Sequence, residues 1–441
     1  AKMKLLLEAN GKTNILCTNS LEDLDSVKLS LGQQNGFDLV LTNPPFGAKI
    51  TQSSVLSKFD LGHKWGNKNS EFYQTKTVYA NQNAEILFIE RCLQLLKEGG
   101  RMAIVLPNGN FENPSLDYLR YYIKQKAKVL AIVNLPQETF IPFGTGVKTS
   151  LLFLEKDTKN EEKHYPIFFG RITKLGYQGN KNGTPIYQKD KFGQIIKDEN
   201  KQPILDEDFS ATIENYKAFL KGKKIETENS FSIQFNELNG RFDYDFYSPE
   251  NRKLFSNLTN FKTVRLGDIC EIVKTKSRKL KDPNLIVEYV ELSDINTHSY
   301  EIINSTTSQV HELPSRASYE IEQGDIITAI AGNSVGTRKH ATALVTEDLA
   351  GSICTNGFRV LRNFKIDSYY LLYYLKSEMF LKQMFMYRTG AAIPNVSDTD
   401  LANIIIHLPE QKTIDDISNK MKKAFELRQA SKQQIESIEL E

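Results

Sequence analysis

Apolar and polar positions alternate with two different periods over the first third of the chain. Helical spacing of three and four marks residues 83–97 and 117–128. Short apolar runs typical of buried strands occupy 15–17, 37–42, 101–106, 129–135 and 148–156. Because strands alternate with helices, the pattern predicts an α/β fold with a doubly wound sheet.

The pattern changes at residues 240–250, after which short β-like segments with Gly-Asp turns follow. Residues 157–235, which precede this change, are rich in Lys, Asp, Asn and Gly and predict a connector with limited structure. We therefore expect an α/β domain at 1–156, a connector at 157–235, an α+β domain at 236–408 and a helix at 409–441.

The last segment has the spacing of a coiled-coil helix over residues 414–438. The positions that recur at alternating intervals of three and four are Ile414, Ile417, Met421, Ala424, Arg428, Ser431, Ile435 and Ile438. The two polar members of this series favour packing against one specific partner, either a second copy of the chain or another subunit. The alternative is a long helix that packs on its own domain.

Composition narrows the class of protein without naming a function. The 441 residues are 40% hydrophobic, and no run of eighteen apolar residues or signal-like opening is present, so we expect a cytoplasmic protein. The four cysteines are far apart, which argues against a zinc site or a disulfide framework, and we expect no metal. The net charge of +2 neither predicts nor excludes nucleic-acid binding.

The most specific chemical signal is the sequence Asn43-Pro44-Pro45-Phe46, directly after the apolar run 37–42. Each proline fixes its own φ and keeps the residue before it extended. A rigid turn at the end of a buried strand can present the Asn43 side-chain oxygen and the Pro44 carbonyl as two preset hydrogen-bond acceptors. Two such acceptors suit an amino group with two hydrogens, and Phe46 offers a flat face for a stacked base. The alternative is a simple turn after a strand.

With Gly47, this sequence resembles the catalytic motif of amino-group DNA methyltransferases, and the asparagine in first place resembles the adenine-N6 branch. Across residues 1–230 the chain is similar to the type I restriction-modification M-subunit family. The stretches that carry this resemblance are 1–5, 19–21, 43–47, 99–107 and 145–156. The resemblance implies S-adenosyl-L-methionine as methyl donor and a class I methyltransferase fold.

The resemblance also implies that residues 1–156 are only the C-terminal part of a Rossmann-like methyltransferase domain. The glycine-rich turn that cradles the cofactor in this family would precede Ala1, so we expect an N-terminally incomplete domain that alone is inactive and binds cofactor weakly or not at all. Asn19, Ser20 and Leu21 are the candidate remnant of the cofactor pocket. A plain Asn-Ser turn is an equally good interpretation.

The family's late motif implies roles for Phe143 and Lys148. Both would border a pocket for a base that has left the duplex, with Phe143 contacting the base and Lys148 the base or the DNA backbone. The alternative for Lys148 is a solvated strand end.

The second half of the chain resembles one target-recognition repeat of the restriction specificity (S) subunit family, an α+β domain with a long C-terminal helix. The resemblance rests on residues 264–269, 324–327, 355–361 and 408–412. It implies double-stranded DNA as the partner. Candidate phosphate contacts form a basic run of Lys274, Lys276, Arg278, Lys279 and Lys281, and candidate base-edge contacts are Asn333, Arg338, Lys339 and Arg388.

Together these features predict a site-specific adenine-N6 DNA methyltransferase of a restriction-modification system, in which the second domain selects the sequence. One alternative is a sequence-specific DNA-binding protein with an inert methyltransferase scaffold. Another is a combined restriction and modification enzyme with a nuclease upstream.

Overall fold

The computed structural model describes residues 17–31, 35–68, 71–159, 164–238, 240–258, 261–390 and 393–438. These residues form two compact units that divide between Pro249 and Glu250. Residues 15 and 16 of the first predicted strand lie outside the described residues, and Cys17 has no regular structure. In the described part of the chain, no helix is long and apolar enough to cross a membrane, and no group of acidic, His or Cys side chains is suited to a metal.

The first unit is a mixed α/β structure. Its strands are β1 Phe37–Thr42, β2 Lys49–Ile50, β3 His63–Lys68, β4 Glu71–Val78, β5 Gln82–Asn83, β6 Leu96–Pro107, β7 Ala127–Asn134, β8 Thr149–Lys156, β9 Pro166–Arg171 and β10 Ser230–Gln234. Its α-helices are α1 Leu24–Leu31, α2 Ser53–Leu56, α3 Ala84–Leu95, α4 Gly109–Glu112, α5 Asp117–Lys126, α6 Phe209–Leu220 and α7 Tyr244–Tyr247. Short 3-10 helices lie at Asp60–Gly62, Pro114–Leu116, Gln137–Phe143 and Phe235–Glu237.

Six of these strands form one sheet in the order β1-β6-β8-β7-β9-β10. The pairs β1/β6 and β7/β9 are parallel, and β8 runs antiparallel to both of its neighbours. Strands that run in the same direction need a long connection: α3 lies between β1 and its neighbour β6, and α5 lies between β6 and β7, which flank β8. The carboxyl ends of β1, β6, β7 and β9 therefore meet at one edge of the sheet.

The predicted helices and the predicted strands from residue 37 onward are confirmed, and apart from β1 their apolar positions form the core. Ile86, Ile89 and Leu93 of α3 are at most 3% exposed and pack against the sheet. Each such side chain contributes about 1.5–3 kcal/mol when it leaves water. Strand β1, which was predicted to be buried, lies at the edge of the sheet, and its Leu39 and Leu41 side chains are 57% and 69% exposed.

The predicted connector contributes regular structure to the first unit. Strands β9 and β10 extend the sheet, since Phe168, Phe169 and Phe231 are fully buried. Between β9 and α6 the chain makes a series of narrow hairpins, marked by the bridges Tyr177↔Pro185, Tyr187↔Leu205, Lys189↔Ile195 and Lys197↔Pro203. Local turn chemistry rich in Asn, Asp and Gly produces these hairpins.

The segment after residue 240 also belongs to the first unit, although the sequence pattern assigned it to the second domain. Phe242, Tyr244 and Tyr247 are 1–5% exposed and pack in the core of the first unit. The buried Arg120 guanidinium donates to the Gly240 and Asn110 carbonyl oxygens and so ties this segment to α5. The structural boundary therefore lies at 249/250 rather than at 236.

The second unit is an α+β domain, as predicted. Its strands are β11 Thr263–Arg265, β12 Glu271–Ile272, β13 Ile286–Val290, β14 Ile295–Asn296, β15 Glu301–Ile302, β16 Thr306–Gln309, β17 Ala317–Glu320, β18 Ile326–Ala329, β19 Thr342–Leu344, β20 Ile353–Thr355, β21 Phe358–Arg362 and β22 Ile405–His407. Its helices are α8 Pro249–Leu258, α9 Leu266–Ile269, α10 Ser368–Tyr374, α11 Glu378–Tyr387, α12 Asp398–Ala402 and α13 Gln411–Glu436, with 3-10 helices at Ser277–Leu280, Leu292–Asp294 and Glu347–Leu349.

Two four-stranded sheets, β12-β21-β18-β19 and β16-β13-β20-β17, form the body of this unit. The long helix α13 packs along α10, where Phe425 meets the Tyr369 ring edge-on with centroids 5.9 Å apart. Ile414 and Phe425 are each 6% exposed, so the first part of the predicted seam packs on its own unit. Ile435 and Ile438 remain 66% and 67% exposed.

Candidate active site

The Asn43–Phe46 turn lies at the carboxyl end of β1, at the edge of the sheet where the parallel strands end. Asn43 and Pro45 are exposed, whereas Pro44 is buried. Among the described residues, none donates a hydrogen bond to the Asn43 side chain or to the Pro44 carbonyl oxygen. Neither acceptor of the predicted pair is therefore occupied by a donor from the described residues, and the Asn43 side chain is exposed to solvent.

A buried carboxylate fixes the end of this turn. The Gly47 N–H donates to Glu85 Oε2 at 3.2 Å, and Gly47 has φ +70°, a conformation that favours glycine. Glu85 is 2% exposed, and burial raises the pKa of its carboxyl group, opposed by hydrogen bonds that include the one from Gly47. Next to it, the Ala84 N–H donates to the Ala48 carbonyl oxygen at 2.8 Å. The start of α3 thus holds the turn in place.

Three aromatic rings join the turn to the predicted base pocket. The Phe46 ring meets Phe140 edge-on with centroids 5.9 Å apart, and Phe140 meets Phe143 at 6.4 Å. Phe143 is 78% exposed. The 3-10 helix that carries Phe140 and Phe143 is braced by the Tyr177 hydroxyl, which donates to the Thr139 carbonyl oxygen at 2.7 Å. The structure therefore brings Phe46 and Phe143, distant in sequence, to the same aromatic cluster.

Lys148 is held by an ion pair. Its ammonium lies 3.1 Å from Asp245 Oδ2, and the Arg171 guanidinium contacts the other oxygen of the same carboxylate. Arg171 also lies over the Tyr244 ring, 4.2 Å from its centroid. Asp245 comes from the 240–249 segment, so this segment sets the charge around Lys148 and Arg171. A contact between Lys148 and DNA would compete with Asp245.

A buried polar network lies behind the same edge of the sheet. Asn134 Nδ2 donates to Ser150 Oγ at 3.2 Å, and Ser150 Oγ donates to Asn108 Oδ1 at 2.9 Å. All three side chains are at most 5% exposed. Because buried polar groups are costly unless paired, this chain of bonds fixes the ends of β6, β7 and β8 relative to one another.

The candidate cofactor residues have local structural roles in the described chain. Asn19 Oδ1 accepts a hydrogen bond from the Leu21 N–H at 3.1 Å, which makes a side-chain turn. Asn19 and Ser20 are exposed, and Leu21 is a core residue with 4% exposure. Contact of these residues with a cofactor stays a prediction.

A second buried carboxylate fixes the chain that follows the turn. Glu90 accepts hydrogen bonds from the backbone N–H groups of Asp60 at 3.0 Å and Leu61 at 2.9 Å. Glu90 is 2% exposed, and burial raises the pKa of its carboxyl group to about 7. The Trp65 indole N–H donates to the Asp60 carbonyl oxygen at 3.2 Å, so Glu90 also fixes the start of the β3–β4 hairpin.

The sequence did not single out Glu85, Glu90, Phe140 or Asp245. The two glutamates lie among apolar neighbours on α3, where a buried charge is unusual and could have attracted notice. Phe140 and Asp245 have no comparable signal, because their roles depend on contacts with residues about a hundred positions away.

In the second unit, two loops that carry the predicted base-edge contacts lie side by side. The Gly332 N–H donates to the Pro394 carbonyl oxygen at 2.9 Å, and Arg388 donates to the Val335 carbonyl oxygen at 3.1 Å. Gly336 has φ +72°, and a Cβ there would lie 2.4 Å from the Phe385 nitrogen, so only glycine permits this approach. Asn333, Arg338 and Lys339 are exposed on the first of these loops, and Arg388 is half-buried on the second.

The predicted basic run divides into exposed and engaged residues. Lys274 and Lys276 are exposed. Arg278 donates to the carbonyl oxygens of Val310, Leu313 and Pro314, and Lys281 pairs with Glu320 at 2.7 Å. The side chain of Lys279 lies outside the described part of the structure. Arg278 and Lys281 therefore stabilise their own unit, which leaves Lys274 and Lys276 as the exposed candidates for phosphate contact.

Comparison with protein families matches both parts of the chain. The N-6 DNA Methylase family model matches residues 1–250, more than half of the 441 residues. The chain belongs to the N-6 DNA methylase family. The model of the type I restriction modification DNA specificity domain matches residues 259–437. This N-6 DNA methylase is thus fused to a specificity domain, and both predicted resemblances are confirmed.

Curated relatives include methylase subunits of type I restriction enzymes. The EcoEI methylase subunit of Escherichia coli is 29% identical over 126 residues, which are 28% of this chain and 22% of the relative. The EcoKI methylase subunit of Escherichia coli strain K12 is 28% identical over 130 residues, 29% of this chain and 21% of the relative. The chain therefore spans about a fifth of the length of these relatives.

Among solved structures, the HsdS subunit from Thermoanaerobacter tengcongensis is 29% identical to this chain. The aligned region covers 40% of this chain and 45% of the HsdS chain. The TM-score is 0.32, which is too low to support an argument about the fold.

The pKa of Glu90 predicts how the stability of this N-6 DNA methylase depends on pH. The folded-state pKa of about 7 exceeds the ordinary value of 4.5, so the unfolded chain releases the proton first as pH rises. Relative to Glu90→Gln, which has no charge to titrate, the wild type should lose on the order of 3 kcal/mol of unfolding free energy between pH 4.5 and 7, with no further change above that range. Chemical denaturation at several pH values measures this difference. A difference that stays constant or rises with pH would contradict the assignment.

Proposed function

We propose that the full-length protein transfers a methyl group from S-adenosyl-L-methionine to the N6 amino group of an adenine in duplex DNA, as the modification activity of a restriction-modification system. The observation that carries this proposal is the Asn43–Phe46 turn at the end of β1, in which Asn43 and Pro45 are exposed and the two acceptors have no donor among the described residues. Membership of the N-6 DNA methylase family and the fused specificity domain support it.

The turn acts by holding the amine. An exocyclic amine is a poor nucleophile because its lone pair is delocalised into the ring. Asn43 Oδ1 and the Pro44 carbonyl oxygen accept its two hydrogens and favour the pyramidal form, in which the lone pair points away from the ring plane. Because Pro44, Pro45 and the Gly47–Glu85 hydrogen bond fix both acceptors beforehand, little reorganisation accompanies the reaction.

The aromatic cluster holds the base. A target adenine must leave the duplex before its amino group reaches the turn. Phe46 and the exposed Phe143 offer apolar faces for this base, and Phe140 fixes the distance between them. In this arrangement Lys148, neutralised by Asp245, borders the cluster and contacts the base or its phosphate when DNA displaces the carboxylate.

S-adenosyl-L-methionine would supply the electrophilic methyl group. Only part of a binding site for it lies among the described residues. Asn19 and Ser20 are exposed and polar, and the Asn19 amide nitrogen has no partner among the described residues, so these two side chains could hydrogen-bond the cofactor. We assign no further contact to it.

The specificity domain selects the DNA sequence in this proposal. The adjacent loops with Asn333, Arg338, Lys339 and Arg388 supply the side chains suited to base edges, and Lys274 and Lys276 contact phosphates. The exposed end of α13 with Ile435, and Ile438 just after it, pack against a second copy or a partner subunit. Pairing of this kind would let one recognition repeat per chain read a site with two halves.

Asn43→Ala tests the proposed chemistry. The variant should lower the rate of labelled methyl transfer to adenine in specific duplex DNA by at least about 100-fold, because it removes one of the two preset acceptors. DNA affinity and thermal stability should be unchanged, since the Asn43 side chain makes no hydrogen bond with any described residue. Asn200→Ala, in an exposed turn of the same unit, is the matched control and should keep full activity. Undiminished methylation by Asn43→Ala would refute the mechanism.

Removal of residues 250–441 tests the proposed division of labour. The cut follows the structural boundary, so Phe242, Tyr244 and Tyr247 stay in the core of the catalytic unit. The shortened protein should bind DNA without preference for the recognition sequence, which a competition assay with specific and unrelated duplexes measures. Retained preference would show that the specificity domain does not read the sequence.

A further inference from the structure

The β3–β4 hairpin leaves and rejoins the chain beside the candidate active site. After the Asn43–Gly47 turn the chain enters β2, and it returns at β5, which pairs with β2 through Lys49↔Asn83 and Ile50↔Gln82. Glu85, which follows β5 directly, bonds back to Gly47. The segment 51–81, which contains the hairpin, therefore begins and ends close to the Asn43–Gly47 turn.

One face of the hairpin is anchored to the first unit. Trp65 stacks on Tyr118 with centroids 6.1 Å apart and meets Tyr122 edge-on at 6.1 Å. Phe72 packs against Tyr121 at 5.6 Å. A two-stranded hairpin has little stability alone, so these contacts are what hold it in a defined position.

The opposite face carries an exposed aromatic ring. Gly66 and Tyr73 are directly paired across the two strands, so both lie on the face away from Phe72 and Trp65. A Cβ on Gly66 would lie 2.4 Å from Tyr73 Cζ, which shows that the Tyr73 ring lies across the glycine backbone. One side of the ring is covered in this way, and the residue is still 55% exposed. The hairpin thus presents an aromatic ring in a fixed orientation.

The hairpin also has an excess of positive charge. Residues 63–78 contain Lys64, Lys68 and Lys76 but only one acidic residue, Glu71. All three lysines are exposed, and none forms an ion pair with any residue that the structure describes. In the strand register Lys68 lies opposite Glu71, and both are on the same face as Tyr73.

We propose that the solvent-exposed surface of the β3–β4 hairpin binds the sugar-phosphate backbone of the DNA next to the base that is methylated. The lysines contact phosphates, and the Tyr73 ring packs on a sugar or an unstacked base. This proposal rests on the DNA methylation proposed above, which brings duplex DNA to the adjoining turn. The charge favours a polyanion over a protein surface, because the hairpin exposes three cations beside a single large apolar side chain.

The salt dependence of DNA binding tests this proposal on the full-length protein. The substitutions Lys64→Gln, Lys68→Gln and Lys76→Gln are combined in one variant, and its affinity for a duplex with the recognition sequence is measured over a range of salt concentrations. For each phosphate that the variant no longer binds, the slope of log K against log salt should become less steep by about 0.9. The ratio of specific to non-specific affinity should stay the same, because phosphates carry no sequence information.

A second triple variant controls for the change in net charge. Lys221, Lys223 and Lys224 are three exposed lysines in the turn after α6, and their replacement by Gln removes the same charge. This control should keep the wild-type slope. An unchanged slope in the hairpin variant, or an equal change in the control, would overturn the proposal. A hairpin variant that alters oligomeric state but not the slope would assign the surface to a protein partner and overturn it as well.

The role of Tyr73 has its own pair of variants. Tyr73→Ala should weaken DNA binding, whereas Tyr73→Phe should retain it, because the flat ring rather than the hydroxyl makes the contact. Equal affinities of the two variants would refute this role. These readouts are binding measurements, so they remain decisive even if methyl transfer itself proves absent.

Discussion

The candidate active site of the first unit depends on a fixed conformation of the backbone turn between β1 and β2. Parallel pairing of β1 with β6 fixes one side of the turn, and the hydrogen bond from Gly47 to the buried Glu85 fixes the other. The prolines remove most of the remaining freedom. A reaction that relies on two hydrogen-bond acceptors rather than on a basic side chain needs this rigidity, because misplaced acceptors would not favour the reactive form of the amine.

The same turn organises its surroundings. Phe46 of the turn packs against Phe140, on the 3-10 helix to which Tyr177 of the first narrow hairpin donates a hydrogen bond. The chain that follows the turn forms the β3–β4 hairpin. The 240–249 segment then supplies Asp245, which pairs with both Lys148, just before β8, and Arg171, at the end of β9. Residues that precede the specificity domain in sequence are therefore part of the catalytic unit in space.

Much of this could be predicted from the sequence, for a physical reason. Helix α3 and strands β6, β7 and β8 have strong local periodicity and sharp turn signals, so pattern alone located them. The Asn43–Phe46 turn was found because prolines constrain the backbone locally. The boundary near residue 250 was missed because Phe242 and Tyr244 are buried by side chains distant in sequence, and hydrophobic pattern does not say which core an aromatic residue joins. Asp245 and Phe140 were not predicted for the same reason. Arg278 donates hydrogen bonds to backbone carbonyl oxygens of its own unit, which the basic pattern did not indicate.

Under the proposed function, the protein modifies adenine at sites that its specificity domain selects. The most direct measurement is to express the full-length protein in a host that lacks DNA methylation and to map modified bases across the genome. The expected result is N6-methyladenine at one recurring sequence and nowhere else. Unmodified adenine throughout, or methylation of cytosine instead, would contradict it.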